Sequence, residues 1–236
     1  PGSGPCSKGF VAEDVMLWSN SYYTLIASLP PLPVHVDVER MPITRERLVS
    51  RGSMLEPGDR VIIQQLFDFL HWDRQSLERT DEDVIRQYNK VMATVQNPLA
   101  REIIDLTMNA RTILAALRRR RRGLEPPQGV GRWVEHIRRH WQHPTFALDL
   151  HYPWIAEVDR LHAAGDTLAV QRILLEAGWT YWKRRADEYF FSFEAVLLYV
   201  IRWEVLYRWV HRDADVGAQK FEALLLETLG DYANLY

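Results

Sequence analysis

The sequence predicts an all-α protein of about eight or nine helices in packed bundles. Apolar residues recur at spacings of three and four along most of the chain, capping residues stand where those runs begin, and no convincing strand alternation or fixed-period repeat intervenes. The strongest element is FSFEAVLLYVIRWEVLYRWVH (191–211), which leads into the amphipathic RDADVGAQKFEALLLETLG (212–230). Ser192 has the chemistry of an N-cap, and Phe191 and Val196 have the spacing of a hydrophobic staple, so this helix is expected to open near Phe193 and stop near His211.

The opening PGSGPCSKG reads as a tail or expression scar within residues 1–15, with Met16 as a credible natural start. Residues 22–29 suit a helix or a strand, after which Pro30, Pro31 and Pro33 impose an extended connection, because each lacks an amide hydrogen and restricts the residue before it. Thr44 caps a short helix ending near Gly52, and Pro57 opens a helix carrying Ile62, Ile63, Leu66, Phe67 and Leu70 to about Trp72. Thr80 followed by Asp81, Glu82 and Asp83 marks the next start, since carboxylates favour the partial positive charge of a helix N-terminus. Asn97-Pro98 restarts the chain as cap and first residue of a long helix, and the two helices of 81–122 should form a hairpin.

GLEPPQGVG (123–131) is the strongest linker signal, dividing an N-terminal helical part (16–122) from a C-terminal one (132–236), two parts that can pack as one domain. Beyond it, Val130, Trp133, Val134, Ile137 and Trp141 predict a helix ended by Pro144. Further helices are expected near 153–164 and 167–177, with Gly178 a candidate break before WTYWKRRADEYF. The stretch 190–210 matches a bilayer in length, yet Glu194, Arg202, Glu204 and Arg208 fall inside it. At roughly 2.5–3.5 kcal/mol for each central charge, these outweigh its leucines and make it a core helix of a soluble protein.

With 47% hydrophobic and 25% charged residues the chain is globular, and a net charge of −2 gives no global attraction to nucleic acid or anionic membrane. The single cysteine, Cys6, excludes disulfide frameworks and cysteine-rich metal sites and fits a reducing cytoplasm. Phosphate loops of the GxxxxGK[ST] type and GxSxG elbows do not occur, so no catalytic residue or cofactor site is assigned.

Three constellations carry the remaining candidate chemistry. His136 and His140 share a helical face, with Glu135, His143 and His151 nearby, which would suit zinc in a metal-dependent enzyme; but Ile137 occupies the position of a metalloprotease glutamate, and Arg132, Arg138 and Arg139 repel a cation. Arg118, Arg119, Arg120, Arg121 and Arg122 form a candidate anion contact for nucleic acid or anionic lipid, or simply complement a helix C-terminus. Arg202, Trp203, Glu204, Arg208 and Trp209 are a candidate protein interface. Glu204 and Arg208 have the favourable i, i+4 order, and their face calls for either an internal ion pair or a contact with another protein.

YYTLIASLPPL (22–32), PITRERL (42–48) and FSFEAVLLYVIRWEVLYRWVHRDADVGAQKFEALL (191–225) together resemble a bacterial family known as domain of unknown function 2764. The resemblance implies a protein encoded among the subunits of V/A-type ATPases. It also implies similarity to a shortened form of the helical socket protein between shaft and membrane ring, the component called d in the eukaryotic enzyme. It further implies a noncatalytic, cytoplasmic, peripheral component contacting the shaft and the proteolipid ring. No residue-level functional site comes with it.

Overall fold

The computed structural model describes residues 22–71 and 80–211. Cys6, the start at Met16, Trp72 and the amphipathic helix 212–230 lie outside the described residues. Among those described are nine α-helices and no strand: α1 (Tyr23–Ala27), α2 (Arg45–Arg51), α3 (Pro57–Leu70), α4 (Asp81–Thr94), α5 (Pro98–Arg121), α6 (Val134–Arg139), α7 (Ile155–Ala163), α8 (Thr167–Ala186) and α9 (Phe193–Val210). The all-α expectation holds.

Local chemistry explains most boundaries. Thr80 accepts from the Asp83 amide while the Asp83 carboxylate accepts from the Thr80 amide, a reciprocal box satisfying two donors that the first helical turn leaves open. Thr44, Asn97, Asp166 and Ser192 each cap their helix by accepting from the amide three residues on. The ambiguous 22–29 segment is helical from Tyr23 to Ala27, and the chain then runs irregularly through the prolines to Ile43.

Two helices differ from the sequence reading: α6, which also starts only at Val134, after Val130 and Trp133, and α8. α6 ends at Arg139, well before Pro144, because the chain goes over into successive turns in which Phe146 and Ala147 adopt left-handed backbone angles (φ 55° and 54°). The His143 ring fixes those turns by accepting from the amides of Thr145 and Ala147 at 3.3 and 3.0 Å. Trp141 lies beyond the helix and stacks on Phe146, ring centroids 5.6 Å apart. Conversely, α8 does not break at Gly178. A mid-helix glycine costs about 1 kcal/mol relative to alanine, and the burial of Val170, Trp179 and Trp182 along one helix outweighs that.

α4 and α5 form a hairpin, joined by Tyr88 donating to Asp105 and by Arg101 donating to the Met92 carbonyl at 2.5 Å. α3 lies against both, and α8 and α9 make the most extensive helix pair. A first core gathers α1, α3, α4, the first half of α5 and the buried face of α9, with Trp182. A second gathers Ile113, Ala116 and Leu117 of α5 with α6, α7, the start of α8 and the turns around Phe146. α5 therefore belongs to both. The 123–131 segment folds back on α5: Thr112 donates to the Val130 carbonyl at 2.9 Å, and Gly131 (φ 104°) lies so close to Asn109 that an added Cβ would stand 2.2 Å from its Oδ1.

Leu198 is fully buried at the middle of α9. Leu198→Ala should lower unfolding free energy by about 2–5 kcal/mol, read by chemical denaturation; a loss below about 0.5 kcal/mol would contradict its place in the core.

Candidate functional site

Glu204 is where α2, α9 and the residue that follows α3 meet. Its carboxylate lies 3.7 Å from Arg45 of α2, 3.5 Å from His71 just after α3, and 3.5 Å from Arg208 one turn along α9. The Glu204 side chain is only 12% exposed, so the group is held by neighbours more than by water. Arg45 also covers Tyr207, its guanidinium 4.5 Å from the ring centroid, and Tyr207 stacks between Trp203 and His211. Local i, i+4 geometry supplies Arg208; the fold supplies Arg45 and His71, which sequence spacing does not reveal.

The five residues of the candidate interface separate. Trp203 and Trp209 are core residues, donating their indole N–H groups to the Ile43 carbonyl (2.9 Å) and the Asp37 carboxylate (3.2 Å). This corrects their assignment to a partner surface: a buried indole needs an acceptor, and the irregular chain around 37–43 provides it. Arg202 packs its guanidinium 4.6 Å from the Trp179 centroid, and burial pushes its pKa down. Arg208, about half exposed, and the edge of Glu204 are what α9 presents outward. They border a cleft of about 510 Å³ between α5, α8 and α9, where Arg111 and Arg118 also stand.

Most of the arginine run serves the fold. Arg119 donates to the Glu125 carbonyl at 2.7 Å; Arg120 donates to the carbonyls of His143 and Pro144, both at 2.6 Å, and stacks over Phe146; Arg121 binds Asp159 of α7 at 2.9 Å. Three of the five cations thus join the end of α5 to the segments around it, the outcome expected where orphan carbonyls meet guanidinium forks. Arg122 remains exposed.

The histidines are likewise engaged. His136 bonds the Phe146 carbonyl through Nε2 at 3.0 Å and stacks on His140, whose Nδ1 bonds the His136 carbonyl at 2.9 Å. His151 packs on Trp133. Among the described residues no group of three or more His, Cys, Asp or Glu is arranged to hold a metal ion.

The class of protein so defined is an all-helical one whose charged clusters largely tie its own helices together, and no described helix is long and apolar enough to cross a membrane. The chain belongs to the family described as Protein of unknown function (DUF2764), whose model matches residues 63–229. Neither the curated proteins nor the solved structures give a match.

Replacing Arg120 by alanine should destabilise the fold by about 1–3 kcal/mol, because two carbonyls lose a charged donor, whereas Arg122→Ala should stay within about 0.5 kcal/mol. Paired denaturation curves decide this. His162 of α7 offers a pH test. Burial, with Arg118 and Arg121 adding repulsion, lowers its pKa from the ordinary 6.5. The unfolded chain then binds a proton that the folded chain resists, so this contribution to stability is complete above 6.5 and declines as pH falls below it. His162→Asn should flatten that part of the stability–pH curve; an unchanged slope would remove the argument.

Proposed function

We propose that this protein is a noncatalytic peripheral subunit or assembly factor of a bacterial V/A-type ATPase, docking the central shaft to the membrane rotor ring through protein contacts. The reading rests on the resemblance of 22–32, 42–48 and 191–225 to the DUF2764 family, which implies a place among those ATPase subunits; the family match itself covers residues 63–229 and so includes the last of the three segments. The all-helical architecture agrees with the likeness to a shortened form of the helical socket between shaft and ring. The internal use of Arg119, Arg120 and Arg121 leaves less of the arginine run for nucleic acid or lipid, and the paired histidines favour contact over chemistry.

In this reading the outward edge of α9, Arg208 beside Glu204, is the part of the molecule that a shaft or ring component touches. Pull-downs with those components from the same organism test it. The wild-type chain should capture at least one of them, and Arg208→Glu should weaken capture by reversing a charge. Circular dichroism accompanies the variant, because a second carboxylate beside Glu204 also acts on the monomer. The proposal fails if the chain binds neither component and a deletion strain still assembles a fully coupled ATPase.

A further inference from the structure

α9 packs chiefly on α8, and α5 on α3 and α6, so these two long helices leave between them the cleft that Arg208 borders. Ile201, Glu204, Val205 and Arg208 line it from α9, positions at i, i+3, i+4 and i+7 that share one helical face. From α5 come Ile103, Thr107, Arg111, Leu114, Ala115 and Arg118, along a wall of about 22 Å at 1.5 Å per residue. Of the apolar lining, Met108 and Trp182 are buried, whereas Leu114, Leu175 and Val205 are only partly covered. The cleft, about 510 Å³, is too small for a whole helix, since a dozen residues of a helix about 10 Å across fill on the order of 1,400 Å³. It is suited instead to the ridge of side chains along one helix face.

The sequence that continues from α9 carries such a ridge. Residues 212–236 follow His211, less than one helical turn beyond Arg208. Phe221, Leu224, Leu225 and Leu229 recur at helical spacing, and an apolar stripe of that kind needs a surface to face. The polar RDADVG (212–217) has the length of an ordinary helix–helix connection, about two to eight residues, so the stripe can return antiparallel along α9, past Arg208 toward Ile201. As a helix, residues 218–229 span about 18 Å, within the length of the α5 wall. The charges are opposite in excess. Arg111, Arg118 and Arg208 line the cleft against Asp81 and Glu204, and Glu204 already faces Arg45 as well as Arg208. Segment 212–230 carries Asp213, Asp215, Glu222 and Glu227 against Arg212 and Lys220.

We infer that the cleft between α5 and α9 seats the chain's own segment 212–230, with Phe221, Leu224, Leu225 and Leu229 entering it. The connection 72–79 also ends at the cleft, beside Leu70 and Asp81, but its large apolar residues, Trp72 and Leu77, stand five apart and make no stripe. The short tether favours the segment of the same chain over that of a second copy, because it sets an effective concentration in the millimolar range. Docking itself does not depend on the ATPase reading. One consequence does rest on it: the seated segment covers Arg208, the edge assigned there to a shaft or ring component, and so competes with that partner in cis.

Thiol labelling of the full chain tests the docking. In a Cys6→Ser background, Ala115→Cys places one thiol on the α5 wall, and Val49→Cys, on an exposed position of α2, gives the rate of an open thiol. The Ala115→Cys thiol should react with a maleimide slowly and at a rate independent of protein concentration. Adding Leu224→Asp and Leu225→Asp, which lie outside the described cores, should raise that rate at least ten-fold with the Val49→Cys rate and the denaturation midpoint unchanged. A thiol that is equally fast or equally slow with and without these changes overturns the inference. So does a rate released by Leu77→Asp instead, which makes the connection 72–79 the cover, or protection that grows with protein concentration, which makes a second copy the cover. In the pull-down, the released chain should capture more shaft or ring component than the wild type. Equal capture by a chain whose thiol is released removes the competition; capture by neither chain counts against the ATPase reading and leaves the labelling result to decide the docking.

Discussion

Buried indole and phenol groups need hydrogen-bond acceptors, and the irregular chain from Pro30 to Ile43 supplies them; the packing of α8 and α9 depends on that exchange. Trp179 donates to the Val34 carbonyl at 3.1 Å, Tyr199 to Pro30 at 2.8 Å, Trp203 to Ile43 at 2.9 Å and Trp209 to Asp37 at 3.2 Å. Each partner solves the other's problem. A proline-rich stretch cannot pair its backbone in a helix, and a buried N–H or O–H left without an acceptor costs on the order of 1–3 kcal/mol. The result is a strap crossing the two longest C-terminal helices, with Val36 buried against Trp179, Leu206 and Trp209 in a small core of its own.

That strap positions the rest of the α9 surface. It ends at Ile43, directly before Thr44 caps α2, so Arg45 is delivered over Tyr207 and toward Glu204. Arg45 and Arg208, with the His71 ring beside them, then surround a carboxylate that the neighbouring aromatics partly shield from water. A carboxylate so placed would be unfavourable alone, and its two arginine partners come from separate helices. The Glu204 group is thus a consequence of the strap's path.

How much of this is legible in the sequence follows from the range of each interaction. Caps act across three residues, which is why Thr44, Thr80, Asn97 and Ser192 announce their helices correctly. Pairing of Glu204 with Arg208 is equally local. Trp203 and Trp209 read as a partner surface because their acceptors lie some 160–172 residues away, and an exposed interface and a core with distant acceptors have the same composition. Periodicity extends α6 too far because Trp141 keeps the helical spacing although it belongs to turns stabilised by the His143 ring. The arginine run reads from sequence as one patch, but its members reach three different segments once the chain folds.

The strap also imposes an order on synthesis. A chain emerging from the ribosome presents Pro30 to Ile43 first, but the side chains that satisfy its carbonyls arrive only with α8 and α9, well over a hundred residues later. The α4–α5 hairpin, whose contacts span fewer than twenty residues, closes long before that. Until then the strap's carbonyls belong to water, and Val36 and Ile43 lack the core that covers them in the finished fold. The N-terminal region is thus made early and completed late, and a chain released before α9 has been translated would keep its hairpin but leave the strap without its anchors.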